Sequence, residues 1–196
     1  MLDFGALAGG GGNGTPVLGP RKIFTTLIRH PRFKFPSANQ GEVLDKWFEL
    51  RPRRDNTIKM NTGSGKMLVG LLALQSCLNE GVAPAVYVVP DNYLLHQVMI
   101  EARDLGINAT DDPDDLAFPS GRAILVANIH RLVNGKSVFG VGSVRKSIGS
   151  VVIDDAHACL ATVDDQFSIT LTASHPAFDQ LLAIFEDDLR LQSEIG

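Results

Sequence analysis

The sequence predicts an α/β fold: a mostly parallel, doubly wound sheet with flanking helices. Three observations predict it. From residue 57 onward short apolar runs alternate with stretches of helical spacing, as βαβ units require. The runs Ala85-Val86-Tyr87-Val88-Val89 and Val151-Val152-Ile153 are apolar without alternation, which is how strands covered on both faces read. Gly81 and Gly106 fall directly after two of the helical stretches, where a left-handed residue closes a helix.

Taken in order, residues 1–20 predict a disordered arm. They include the run Gly9-Gly10-Gly11-Gly12, which has nothing to bury and gives up much backbone entropy on ordering. Residues 21–54 are basic, with Arg21, Lys22, Arg29, Arg32, Lys34, Lys46, Arg51, Arg53 and Arg54 against Glu42, Asp45 and Glu49. Within them, residues 39–50 carry Val43, Leu44, Trp47 and Phe48 at helical spacing. A strand is expected at 57–60, a helix at 65–80, a strand at 85–89 and a helix at 93–105. Further strands are expected at 123–126 and 150–154, with a short helix near 129–133 between them. The acidic run 111–115 reads as a solvated surface turn. From Pro176 on, Phe178, Leu181, Leu182, Phe185 and Leu189 line one side of a last helix. Residues 21–196 are expected to form one domain, since 196 residues leave room for one and an arm.

Composition narrows the function classes. Charged residues make up 20% and hydrophobic ones 44%, which is ordinary for a globular chain, and a net charge of −4 argues against a generic polyanion-binding surface. Cys77 and Cys159 form no CxxC pair and read as reduced, buried thiols; the five histidines show no metal-ligand spacing. The N-terminal residues, without a basic start or a long apolar stretch, predict no export signal, and no run comes near the ~18 apolar residues a membrane span needs. The expected location is the cytoplasm.

Two motifs carry chemistry. Asn61-Thr62-Gly63-Ser64-Gly65-Lys66 lies between an expected strand and an expected helix, the setting of a P-loop. The glycines let successive N–H groups face inward on phosphate oxygens, the helix adds its positive end, and Lys66 supplies a mobile charge. Val151-Val152-Ile153-Asp154-Asp155-Ala156-His157 delivers two carboxylates to the end of an apolar strand, where parallel sheets bind ligands. After a P-loop, the first carboxylate holds Mg²⁺ and the next orients the attacking water.

The loop 62–66 and the box Asp154-Asp155-Ala156-His157 together resemble motifs I and II of superfamily-two helicases, the DEAD/DEAH group. Pro36-Ser37-Ala38-Asn39-Gln40 is similar to the glutamine element upstream of motif I. The stretch 89–97 resembles motif Ia, and residues 127–132 resemble the later strand-contacting segment of the same lobe. The resemblance spans roughly residues 33–160 and implies a RecA-like P-loop fold binding ATP and Mg²⁺. It implies that Gln40 reads adenine and that Thr62, Gly63, Ser64, Gly65, Lys66 and Met67 surround the phosphates. Asp154 would hold Mg²⁺, while Lys66 and Asp155 would be catalytic. Residues 89–97 and 127–132 would touch the backbone of a single-stranded or duplex nucleic acid. It also implies a second lobe that completes the ATP site, so that 21–196 reads as the first lobe of a longer motor.

This sequence departs from the pattern at four places. Met67 stands where a Ser or Thr should put a hydroxyl on Mg²⁺, and Met60 opens the motif in place of a small residue. Asp155 replaces the catalytic Glu, and Thr172-Ala173-Ser174 is a loose echo of the Ser-Ala-Thr triplet. Besides a helicase-type ATPase lobe, the residues therefore admit a degenerate nucleotide-binding or interaction module without ATPase activity. A P-loop enzyme of another class, such as a small kinase, is opposed by Gln40 and the Asp-Asp-Ala-His box.

Overall fold

The computed structural model of the chain describes residues 16–134, 137, 139 and 146–193. Within them the chain runs α1 (Pro20–Thr26), α2 (Ala38–Leu50), α3 (Lys66–Asn79), β1 (Ala85–Val89), α4 (Asn92–Leu105), β2 (Ala109–Thr110) and β3 (Ile124–Asn128). It continues with α5 (His130–Val133), β4 (Ser150–Ile153), α6 (Ala156–Phe167) and α7 (Phe178–Ser193).

Local chemistry sets the ends of these helices. Pro20 opens α1, where its missing N–H costs nothing. Ser37 and Gln40 form a reciprocal capping box at the start of α2. Asp91 caps α4 by accepting from the Leu94 N–H at 2.8 Å, and Gly106, at φ 74°, closes it.

The strands form one four-stranded, all-parallel sheet in the order β2-β3-β1-β4. Strand β1 lies in the middle, with Tyr87 level with Val126 of β3 and Val152 of β4. Its five residues are all buried, as its unalternating sequence predicts. One face, with Tyr87, Val89, Ile124 and Val126, packs under Ile23 and Phe24 of α1, Leu44 of α2, Leu68 and Leu72 of α3, and Leu95 and Val98 of α4. The other face, with Val86, Val88, Leu125 and Ala127, packs on Phe118, Ile129 and Cys159, with Leu132 of α5 and Val163 of α6 beside them. Helices thus cover both faces, and the α/β, RecA-like expectation holds.

Residues 57–60 are a correction: they are irregular, not a strand. A strand exists through its ladder, and this run joins none. Thr57, Ile58 and Lys59 are exposed, and only Met60 is half-buried against the core. Its β-branched pair supplied propensity with nothing to bury, and propensity alone does not hold a strand. Among the described residues strand β4 is accordingly bonded on one side only, to β1, and Val151 and Ile153 stay about half exposed at 49% and 47%.

Smaller differences lie at the ends: β3 begins at Ile124 and reaches Asn128, and β4 stops at Ile153. Helices α1 and α6 and the short β2 were not expected. The turn at 111–115 is there, held by the Asp112 and Asp115 carboxylates accepting from the Asp114 and Ala117 N–H groups. The first fifteen residues of the expected arm lie outside the described residues. Val17 and Leu18, from its end, offer their carbonyls to Asn79 and Ser76 of α3. In α7, Leu182, Ile184 and Phe185 are exposed at 46%, 69% and 51%, so among the described residues nothing covers this part of its apolar face.

Candidate functional site

The loop before α3 is bent by two glycines in the left-handed region, Gly63 and Gly65, both at φ 77°. Here the backbone itself demands glycine. A Cβ on Gly65 would also fall 2.1 Å from Gln40 Nε2, whereas one on Gly63 would meet nothing within 4 Å. The loop is therefore closed on its α2 side and open outward. Gln40 clasps it: Nε2 donates to the Ser64 carbonyl at 3.0 Å, while Oε1 accepts from the Ser37 N–H at 2.8 Å. Ser64 in turn donates its N–H to the Asn61 carbonyl at 3.2 Å.

Lys66 is the first residue of α3. The opening N–H groups of a helix have no carbonyl within it to bond, so α3 presents donors and its positive end beside the loop. Lys66 and Met67 are both half-buried. The Met67 side chain packs against the core cluster that includes Leu68 and Leu72.

The carboxylate pair lies at the carboxyl end of β4. The Asp154 N–H donates to the Val88 carbonyl at 2.8 Å, which continues the ladder one step past the strand. Both Asp154 oxygens are engaged: Oδ1 accepts from the Asp155 N–H at 3.0 Å, and Oδ2 from the Tyr87 hydroxyl at 3.1 Å. Burial and the adjacent Asp154 charge push the Tyr87 phenol far above its ordinary range, so it stays a neutral donor.

Asp155 sits at φ 47°, the sole non-glycine residue with positive φ among the described residues, and caps α6 by accepting from the Ala158 N–H at 3.4 Å. Aspartate tolerates this conformation better than most residues, and strain of this kind gathers at functional sites. Cys159, buried behind the pair, has its thiol pushed up to about 11 by burial and then by Asp155 and Asp154, so it is an inert packing group.

Beside the loop opens a cleft of about 520 Å³ lined by Arg32, Phe33, Phe35, Gln40, Gly63, Gly65, Leu68 and Glu101 among others. Arg32 holds Glu101 at 2.9 Å and Asp104 at 3.0 Å across its wall. Burial raises the Glu101 carboxyl despite the neighbouring Arg32. The stretches after β1 and β3 are also brought together: Asn128 Nδ2 donates to Asn92 Oδ1 at 2.6 Å. His130 and Arg131, just beyond, are exposed.

A family match decides what this arrangement belongs to. The sequence model of the DEAD/DEAH box helicase family matches residues 37–183. The chain belongs to that family. No curated protein and no solved structure matches it. The matched span holds both motifs, the whole sheet and all but the first of the helices before α7, so the helicase domain supplies ATP-binding and nucleic-acid-binding function in general. Among the described residues no helix is long and apolar enough to cross a membrane.

Within this helicase domain, Gln40 meets the loop 62–66, and Asp154 and Asp155 are adjacent at the sheet's edge. Sequence reasoning missed Tyr87 and Gly70. A Cβ on Gly70, in the middle of α3, would come within 2.7 Å of Tyr87 Cε2, 3.2 Å of its hydroxyl oxygen and 3.1 Å of Val152 Cγ1. A glycine inside a helix and a tyrosine in a run of valines were the available signals.

The donor set suits a magnesium ion carried in on a nucleotide better than a protein cage. Among the described residues no three His, Cys, Asp or Glu side chains gather to hold a metal. Asp154 keeps a lone pair on each oxygen beyond the bonds it accepts, enough to receive a metal-bound water.

Proposed function

We propose that residues 21–196 are the ATP-binding motor lobe of a DEAD/DEAH-like nucleic-acid helicase, working in the cytoplasm beside a second lobe that closes over the nucleotide. The observation that carries this reading is the loop 62–66, clasped by Gln40 and opening outward at Gly63 beside the first turn of α3. Thr62, Gly63 and Gly65 cradle phosphate oxygens with backbone N–H groups, Ser64 keeps the loop bent through its own N–H on the Asn61 carbonyl, and Lys66 places its charge on the terminal phosphates. Bound Mg·ATP supplies the phosphoryl group and the ion that neutralises it. Asp154 receives the ion's water shell, and Asp155 orients the attacking water. Gln40 has a free lone pair on Oε1 with which to accept from the adenine amine. Residues 89–97 and 127–132, joined through Asn92 and Asn128, follow a strand's phosphates.

A titration with fluorescent ATP, with and without Mg²⁺, tests this. Lys66→Ala should weaken binding by roughly 10- to 150-fold, since a hydrogen bond to a charged group contributes about 1.5–3 kcal/mol. Equal affinity in a folded Lys66→Ala chain overturns the assignment.

One observation favours a second reading, a nucleotide-binding or interaction module without ATPase activity. Met67 packs on the core and offers no oxygen, and Asp155 already caps α6. Saturable ATP binding with no Mg²⁺-dependent turnover, even with a second lobe and a strand present, would decide for it.

A further inference from the structure

We propose that Tyr87 is a positioning residue that holds the Asp154 carboxylate in its metal-facing orientation, and that Gly70 is the seat built for it; this rests on the assignment of Asp154 above. Tyr87 is the middle residue of β1 and is 1% exposed, with Val126 on one side and Val152 on the other. Its ring lies on the face covered by α3 and its hydroxyl meets Asp154 Oδ2 at 3.1 Å. A phenylalanine there would fill the same space and reach no carboxylate. Its neighbours at that level, Val126 and Val152, are apolar, and the phenol ends on the carboxylate.

The seat is a separate observation. Residue 70 lies four positions past Lys66 on α3, one helical turn along the same side. Its missing Cβ is what leaves room for the ring, since an alanine there would overlap Tyr87 Cε2 at 2.7 Å. Helix interiors disfavour glycine, so its presence here has a packing reason. The same ring thus touches α3 one turn from the phosphate-binding lysine and touches Asp154 at its far end.

Together with the Asp155 N–H on Oδ1, the Tyr87 hydroxyl fixes both oxygens of Asp154 before any ligand arrives. The consequence is largest in this chain, because Met67 removes the hydroxyl that would otherwise help fix the ion. Positioning then falls on Asp154 and on what holds it.

Tyr87→Phe removes one oxygen and keeps the ring. It should leave ATP affinity without Mg²⁺ unchanged and raise the Mg²⁺ concentration needed for the half-maximal effect on ATP binding roughly tenfold, the scale on which partners of metal-binding carboxylates act. In an Asp154→Asn background the same change should do nothing further to the Mg²⁺ midpoint. A purely structural role would lower the melting temperature in both backgrounds and leave that midpoint in place. Three-bond couplings at Asp154 provide a readout that needs no nucleotide: one rotamer in the native chain, averaging in Tyr87→Phe. Gly70→Ala, which displaces the ring, should give the same averaging. An unmoved Mg²⁺ midpoint, or a single Asp154 rotamer in Tyr87→Phe, overturns the proposal. Absence of ATP binding by the native chain overturns the P-loop assignment instead, and the couplings still decide whether Tyr87 holds Asp154.

Discussion

Met67 concentrates the chemical question at a single side chain. Where the family pattern has a hydroxyl, this chain has a thioether that is half-buried and packs with Leu68 and Leu72. A thioether is a poor ligand for a hard cation, and one well-placed electrostatic group in a reacting site is typically worth about a hundredfold in rate. Met67→Thr should therefore raise Mg²⁺-dependent ATP turnover by about that factor when a second lobe is supplied, at a packing cost of roughly 1–3 kcal/mol in stability. Adding Asp155→Glu should raise it less, because a carboxylate is present already. Turnover and Mg²⁺ midpoint both unmoved by Met67→Thr would favour the module without ATPase activity. The positions of Gly63, Gly65, Lys66 and Asp154 were legible in sequence because they follow from local structure: a bent loop needs glycine, Lys66 opens the helix after it, and a strand end presents carboxylates. Tyr87 was not, because its role depends on which strand lies beside β1, and β4 is more than sixty residues away in sequence.

At the scale of elements, the join between α2 and the loop is the most sensitive feature. Gly65 has φ 77° and faces Gln40 Nε2, so Gly65→Ala meets both backbone strain and a Cβ only 2.1 Å from that nitrogen. Left-handed backbone costs a non-glycine residue roughly 1–2 kcal/mol, and the clasp of Gln40 on Ser64 must open as well. The expected result is a melting temperature lower by about 3–8 °C together with weakened ATP binding. A Gly63→Ala chain, with the same φ and open space around it, should show the strain alone. If the two variants melt alike and bind ATP alike, the clasp contributes nothing. Helices with a clean period and a glycine stop, α3 and α4, were legible within a residue. The strand expected at 57–60 was not real, because alternation over four residues cannot say whether a partner strand is within reach. Helix α6 was hidden behind its own cap: Asp155 was read for its chemistry, and it also starts a helix. For α7 the apolar stripe was plain, but a stripe does not name what covers it, and in the structure Phe185 and Ile184 face solvent.

For the whole molecule, alternation of buried runs and helices was enough to give a parallel sheet with helices on both faces, since so few topologies satisfy it. In the helicase reading proposed above, gripping and releasing a strand takes two surfaces closing on ATP, of which residues 21–196 supply one. The 196-residue chain by itself is therefore expected to show no strand separation, and at most weak, salt-sensitive binding to single strands. ATP-dependent unwinding of a labelled duplex by the purified chain would refute that. In the proposed function the loop 62–66 and the carboxylates after β4 serve one ligand. Amide hydrogen exchange with and without Mg·ATP tests it most directly. Slowed exchange is expected over residues 61–68 and again over 154–159, with little change in the exposed helix α7. Protection confined to one of the two segments, or none while ATP is demonstrably bound, would contradict it.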